Sequence, residues 1–521
     1  MTASGAVFYL QQMAGQMSRA FKFLAPALLV ATAVVSVSAS ASSAAPHRAV
    51  TAHTATVHWA PCDKQFRCAT IPVPIEYANP SLGSIKLAVV MLPSTGLHPI
   101  GDLFTNPGGP GASGVQFLEQ NSTGFSARLR ANFNLVSWDP RGVGASTPAV
   151  NCVNAAQMRR FTQITPDPTT PKEVHDVVAA TQQFIAGCEN KTPHLVLANV
   201  GTRTTIEDLD TLRADLGQQK LNYLGFSYGT YIGELYAQRY PTHIRTMVLD
   251  GTIDPSLGLT GSDKEQALGF EGDLRAFFSW CNSNSACHKE LPSGAKNEYD
   301  ELFSKFAAGR VDTATFKSLY GGTQPVTFGV AELGVISTLY AKSQWPYLGQ
   351  AIAQGLTDVE GNGNLLAEFA YQYAGLQSNG TFTNEQEANV AVNCLDSPSP
   401  RSLSFYETFA KQLSAVAPNF GASEAWGSLI CAYWPYPAQG SPAPIHAPGT
   451  PKLLVVGSTN DPATPYVWAK TVAAQLDNAE LLTRSGSGHT GYFFSACIRN
   501  WVDGYLSTLA LPPQHTVCPS N

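Results

Sequence analysis

The sequence predicts an α/β fold: a mostly parallel sheet flanked by helices, with a largely helical segment inserted between two of its strands. Three observations predict it. Short apolar runs recur along the chain and end in loops rich in Gly, Asp and Asn, as strands of an open parallel sheet do at the edge where ligands bind. One run, Leu221 to Gly225, leads into Gly225-Phe226-Ser227-Tyr228-Gly229 and then a helical pattern from Tyr228 to Arg239, the strand-turn-helix context of a G-x-S-x-G elbow. About 200 residues of mainly helical patterning then separate the run at Thr246–Leu249 from the run at Lys452–Val456.

Taken in order, Met1–Ala45 has Arg19 and Lys22 ahead of an apolar stretch from Phe23 to Val37, followed by small residues through Ala45, which reads as a secretory signal peptide. The stretch is shorter than the roughly 20 residues of a spanning helix and contains Pro26, so a membrane anchor is the weaker alternative, and no later segment could span a bilayer. Residues 46–255 are assigned to the first part of the sheet core. Asp102–Asn106 leads into Pro107-Gly108-Gly109-Pro110-Gly111, Phe133–Trp138 into Asp139-Pro140-Arg141-Gly142, and Thr246–Leu249 into Asp250-Gly251. Residues 256–450 are assigned to a helical cap insertion, with helical patterns at Gln266–Trp280, Glu298–Ala308 and Leu365–Tyr373; a second independent domain is the alternative. Residues 451–521 return to the core.

Composition limits the function. The chain carries 32 Lys+Arg against 38 Asp+Glu, a net charge of −6; losing Met1–Ala45 removes Arg19 and Lys22 and no acid, leaving 30 against 38, or −8. Nucleic acid is therefore not an expected partner. No C-x-x-C or His-rich cluster suggests a metal site, and no cofactor is expected. The ten cysteines fall into sequence neighbours, Cys62 with Cys68, Cys152 with Cys188, Cys281 with Cys287, Cys394 with Cys431 and Cys497 with Cys518. An even count behind a secretory signal suggests disulfides, although spacing leaves the connectivity open and the Cys62 and Cys281 pairs could be free thiols. Asn121, Asn190 and Asn379 head glycosylation sequons.

The chemistry centres on Ser227. With 44 glycines in 521 residues, about 0.3 chance G-x-S-x-G matches are expected, so the motif gains weight from its context. A serine hydroxyl needs a histidine base and a carboxylate that orients the base. His489, in Ser485-Gly486-Ser487-Gly488-His489 after the apolar run Ala479–Thr483, is the candidate base, and Asp461, at the end of the run before it, is the candidate acid. The interval between them holds one helical pattern, Tyr466–Leu476, and one strand. Asp250 is the rival acid. The amides of Tyr228 and Gly109 are the expected oxyanion donors, because the residue after the nucleophile and a Gly-rich loop after an earlier strand supply them in such sites. The Gly-rich loop lacks the Lys-Ser/Thr ending of a phosphate loop. Arg141 is expected to pair with a nearby carboxylate and hold its loop.

NPGGPG, WDPRGVGAST, GFSYGTYIGELYAQRYP, VLDG and the C-terminal GSGH resemble the secreted tripeptidyl aminopeptidase branch of the proline iminopeptidase family of α/β-hydrolases. The resemblance covers most of the chain after the leader, and the tail from Lys452 to Cys518 is similar to that branch's C-terminal segment. It implies a secreted Ser-Asp-His peptidase that removes short peptides, tripeptides in that branch, from free N-termini, with a peptide as partner and the motif positions on Ser227, Asp461 and His489. Proline iminopeptidases usually carry His where this chain has Asn106. The branch also contains members of esterase-like activity, so a carboxylesterase-type hydrolase is the alternative function, and a non-catalytic binding protein on the same fold is the third. An exopeptidase must recognise the α-ammonium of its substrate; Asp396 is the candidate acceptor, with Glu385 and Glu387 behind it and an ordinary capping role as the alternative.

Overall fold

The computed structural model describes residues 57–63, 65–317 and 322–519. The leader assigned to Met1–Ala45 lies outside the described residues. Strands β1 (Ala60–Pro61), β2 (Arg67–Pro74) and β3 (Ser84–Leu92) precede β4 (Gly101–Asn106), helix α1 (Gly114–Asn121) and β5 (Phe133–Trp138). Helices α2 (Ala155–Gln163), α3 (Pro171–Lys191) and α4 (Thr202–Asp215) lead to β6 (Leu221–Phe226), α5 (Tyr228–Arg239) and β7 (Ile244–Asp250). Between β7 and the next sheet strand come α6 (Gly258–Ser283), a small antiparallel pair β8 (Asp312–Thr313) and β9 (Gln324–Pro325), α7 (Phe328–Leu339), α8 (Asn364–Tyr373), α9 (Glu385–Asp396), α10 (Leu403–Ser414) and α11 (Gly421–Gly427), with shorter helices among them. The chain closes with β10 (Leu453–Asn460), α12 (Tyr466–Gln475), β11 (Ala479–Ser487), α13 (Ala496–Thr508) and β12 (Val517–Cys518).

Ten strands form one sheet in the order β1-β2-β3-β5-β4-β6-β7-β10-β11-β12, antiparallel from β1 to β5 and parallel from β5 onward. The fold is that of an α/β-hydrolase. Helices on both faces explain why β6 is buried along its whole length and shows no polar alternation. Tyr223 packs with Leu87, Val136 and Ile232 on one face, whereas Leu224 packs with Leu103, Val248 and Leu454 on the other.

Register sets the functional edge. Asn106 lies opposite Gly225, Phe226 opposite Asp250, and Asp250 opposite Val456, so the C-terminal ends of β4, β6, β7 and β10 are level. The loops after them therefore meet above one edge of the sheet.

The helices between β7 and β10 hold a core of their own, including Phe270, Phe277, Trp345 and Leu348. They do not stand alone: Val177 of α3 packs with Tyr406, Phe409 and Trp426 of α10 and α11. Residues between β5 and β6 thus pack against residues of the inserted segment. Five disulfides join the sequence-neighbour cysteines, Cys62–Cys68, Cys152–Cys188, Cys281–Cys287, Cys394–Cys431 and Cys497–Cys518. Asn121, the first sequon asparagine, is buried and donates to the Phe117 carbonyl, which keeps it from a glycosylation machinery.

Candidate active site

Ser227 sits between β6 and α5 with φ +54° and ψ −128°, a strained conformation for a residue with a side chain. Its N–H donates to the Asp250 carbonyl at 3.0 Å, which pins the turn to the neighbouring strand. Close approach explains the glycines. A Cβ on Gly229 would lie 2.6 Å from the Asn106 carbonyl oxygen, and one on Gly108 (φ +99°) would lie 2.8 Å from the Tyr228 nitrogen. The Gly-rich loop after β4 is thereby laid against the elbow, and Gly109, Ser227 and Tyr228 line one cleft.

His489 and Asp461 are brought together. Nδ1 of His489 lies 2.9 and 3.0 Å from the two carboxylate oxygens of Asp461, both side chains being buried. Asp461 is fixed by three backbone amides: Ala463 and Thr464 donate to Oδ1 at 3.0 and 2.8 Å, and Thr490 donates to Oδ2 at 3.0 Å. An acid held this way favours the Nδ1–H tautomer and leaves Nε2 as the basic nitrogen. Nε2 is buried and has no hydrogen-bond partner in the protein, so the serine–histidine hydrogen bond is not formed in this structure. A Cβ on Gly251 would lie 3.2 Å from Cε1 of His489, which sets the imidazole over the loop that follows β7.

Asp250 has a different place. Its carboxylate accepts from the amides of Gly491 (2.8 Å) and Tyr492 (2.8 Å), just beyond His489, and makes no hydrogen bond to the imidazole. Burial pushes its pKa up to about 7 against the lowering effect of those amides.

Three side chains that sequence reasoning missed hold the histidine loop. Arg484, buried at the end of β11, donates to the carbonyls of Ser487 (3.0 Å), Gly488 (3.2 Å) and Thr490 (3.3 Å) and to Ser458 Oγ. Tyr340, at the end of α7, accepts the His489 N–H on its carbonyl at 2.8 Å and sets its ring edge-on to the imidazole, with centroids 5.4 Å apart. Asp273 of α6 accepts from Asn460 Nδ2 at 2.6 Å, tying the first inserted helix to the strand end that carries Asp461; burial pushes its pKa up to about 8. An arginine inside the run Ala479–Ser487 was the one signal available in the sequence. Tyr340 and Asp273 lie more than 100 residues away from His489 in the chain and carry no local mark.

Asp396 lines the cleft with Ser227. It also caps a helix: Thr202, the first residue of α4, donates its N–H to Oδ1 at 2.8 Å and its hydroxyl to Oδ2 at 2.5 Å. Burial outweighs those bonds and raises its pKa to about 7. Glu387 accepts the amides of Cys152 (2.8 Å) and Val153 (3.0 Å), a structural role, and neither it nor Glu385 lines the cleft. Asn389 of α9 donates to the Pro110 carbonyl at 3.0 Å, so the helix that presents Asp396 also braces the Gly-rich loop. Arg141 makes a two-point pair with Asp208 at 2.7 and 2.5 Å, both fully buried, away from the cleft lining.

A strained serine elbow and an Asp-His pair on level loops are the equipment of a serine hydrolase. The family model for TAP-like proteins matches residues 417–518. Serine protease Hip1 of Mycobacterium tuberculosis is 32% identical over 477 residues, an alignment covering 89% of this chain and 91% of Hip1. The chain belongs to the TAP-like family of α/β-hydrolases. Carboxylesterase B of M. tuberculosis is 34% identical over 458 residues (87% of this chain, 86% of the relative), and tripeptidyl aminopeptidase of Streptomyces lividans is 29% identical over 484 residues (89% and 87%). This TAP-like protein is therefore a serine hydrolase whose relatives include peptidases and a carboxylesterase. Among the described residues, no helix is long and apolar enough to cross a membrane.

Proposed function

We propose that this TAP-like hydrolase is a secreted serine exopeptidase that releases short peptides, tripeptides by analogy with the Streptomyces relative, from free N-termini. Ser227 attacks the scissile carbonyl, His489 takes the serine proton and returns it to the leaving amine, and Asp461 orients the imidazole and favours its cation. The amides of Tyr228 and Gly109 receive the oxyanion. Water, activated by the same histidine, then releases the acyl peptide. The buried, unpartnered Nε2 of His489 is compatible with this cycle, because such contacts often tighten only when substrate is present.

The observation that carries the reading is the run of one cleft from Ser227 to the carboxylate of Asp396. A free α-ammonium placed there meets a partly buried carboxylate, while a blocked N-terminus brings no charge and leaves that group uncompensated. Residues 256–450 act as the cap that closes the cleft and limits the length of the acyl part. Export, with residues 1–45 as leader, is supported by the five disulfides, which persist in oxidising compartments. The likeness to Carboxylesterase B favours esterase action as the second reading.

The test compares one chromogenic tripeptide amide with a free N-terminus, the same amide N-acetylated, and a p-nitrophenyl ester, on the wild type and Ser227→Ala. Cleavage of the free amide alone, lost in the variant, is expected. Cleavage of the ester alone would sink the exopeptidase reading and leave the serine hydrolase standing.

A further inference from the structure

The cleft beside Ser227 is acidic at two places. Its lining includes Asp254 and Asp396 and no Lys, Arg or His. Asp396 already takes two hydrogen bonds from Thr202, whereas Asp254 is differently furnished. Ser256 donates to Asp254 Oδ1 through its N–H (2.9 Å) and its hydroxyl (2.6 Å), and Gln475 adds a third bond at 3.2 Å. All three converge on Oδ1. The carboxylate is thus locked in orientation, while Oδ2 has no hydrogen bond among the described residues.

Behind Asp254 lie two further acids, Glu234 and Glu265. Glu234, on α5 one helical stretch beyond the elbow, is fully buried, and neither carboxyl oxygen has a hydrogen-bond partner. The neighbouring Thr230 hydroxyl is committed to the Ser227 carbonyl at 2.7 Å. Burial, and after it the charge of Asp254, hold Glu234 far above the usual carboxyl range, so it keeps its proton and the negative charge at this end of the cleft is that of Asp254. Glu265, whose carboxylate accepts the indole N–H of the cleft residue Trp468, is raised by burial and likewise feels Asp254. Both acids feel the charge of Asp254, and the cleft lining brings no Lys, Arg or His to it. A low-dielectric site arranged so attracts positive charge and disfavours neutral or anionic occupants.

With the α-ammonium assigned to Asp396, the Asp254 carboxylate is left in the cleft without a substrate group. We propose that the Asp254 end of the cleft receives a second positive group of the substrate, so that the preferred acyl part carries a lysine- or arginine-type side chain in addition to its free N-terminus. This rests on the exopeptidase reading above and specifies its substrate class. The apolar stem of such a side chain has Tyr231, Leu259 and Trp468 to lie against, and its charged end reaches the carboxylate.

The test uses free N-terminal tripeptide p-nitroanilides carrying lysine at each of the three positions in turn, each paired with its norleucine counterpart of similar length. With the wild type, lysine at one position is expected to raise kcat/KM at least tenfold over norleucine. In Asp254→Asn that ratio falls to within threefold of unity, while Asp396→Asn keeps the ratio and raises KM for every member of the set. Labelling of Ser227 by a fluorophosphonate checks that each variant is folded. A second measurement needs no variant: 1,5-diaminopentane is expected to inhibit the wild type at lower concentration than pentylamine. Equal rates for lysine and norleucine at all three positions overturn the proposal and leave the exopeptidase reading intact. A uniform loss on both members of each pair in Asp254→Asn overturns it in favour of Asp254 as the α-ammonium acceptor. Failure of the wild type to cleave any of these amides removes the exopeptidase reading itself.

Discussion

At the residue scale, the account depends on a few atoms. Replacing Asp461 with Asn keeps the shape but offers His489 Nδ1 an amide that can present either a donor or an acceptor, and a drop of about 10⁴ in kcat is expected. Asp250→Asn disturbs only the loop anchored at Gly491 and Tyr492, so a loss of about tenfold is expected, measured on the same substrate. Asp396 gives a pH signature. Its pKa of about 7 means that the free enzyme holds it protonated below that value and ionised above it, and only the ionised form attracts an α-ammonium. KM for a free N-terminal substrate should therefore fall as pH rises through 7, until the α-amino group itself loses its proton near pH 8. The KM of an N-blocked ester should stay flat, and Asp396→Asn should abolish the trend.

At the scale of elements, the strand ends, the elbow and the Asp461–His489 interval were legible because they are local. Leu221–Gly225, Phe133–Trp138 and Tyr228–Arg239 carry their periodicity and their punctuating glycines in sequence. The sequence favours Asp461 as the acid and keeps Asp250 as the rival, since both stand at the ends of parallel strands; the difference lies in which neighbouring loop each carboxylate meets. Of what holds the histidine loop, only Arg484 left a local signal, because Tyr340 and Asp273 act across elements. These give a prediction of their own. Tyr340→Phe keeps the ring against His489 and the carbonyl that receives its N–H, losing the 3.2 Å contact with the Tyr373 hydroxyl, and should retain activity within about threefold. Tyr340→Ala removes the ring and opens space beside the imidazole, and a fall of about 10–100-fold in kcat with a smaller change in KM is expected. Arg484→Met takes a donor from the carbonyls of Ser487, Gly488 and Thr490, of which Thr490 keeps the Ser458 hydroxyl, a loss of about 1–3 kcal/mol, read as a lower denaturation midpoint.

At the scale of the whole molecule, the inserted helices and the sheet are joined through buried acids, and this makes stability depend on pH. Asp273, between α6 and the end of β10, has a folded pKa of about 8, raised above the ordinary carboxyl value. The folded state therefore binds its proton more tightly than the unfolded state. Stability from this group is fully present below about pH 4 and is lost as pH rises to about 8. The melting temperature of the wild type should fall between pH 5 and pH 9, and Asp273→Asn, which can still accept from Asn460, should shrink that fall by several degrees. The layout of this upper layer was the part of the fold least visible in sequence. Helical periodicity marks each helix but not its neighbour, and the packing of α3 on α10 and α11 joins residues more than 200 positions apart.

The central claim is that Ser227, activated through His489 and Asp461, is the nucleophile. Labelling the folded protein with a fluorophosphonate and mapping the adduct by peptide mass spectrometry tests it most directly. The account predicts a single adduct on the peptide containing Ser227, absent in Ser227→Ala and formed at least 100-fold more slowly in Asp461→Asn. An adduct on another serine, or labelling of Ser227 at an unchanged rate in Asp461→Asn, would contradict it.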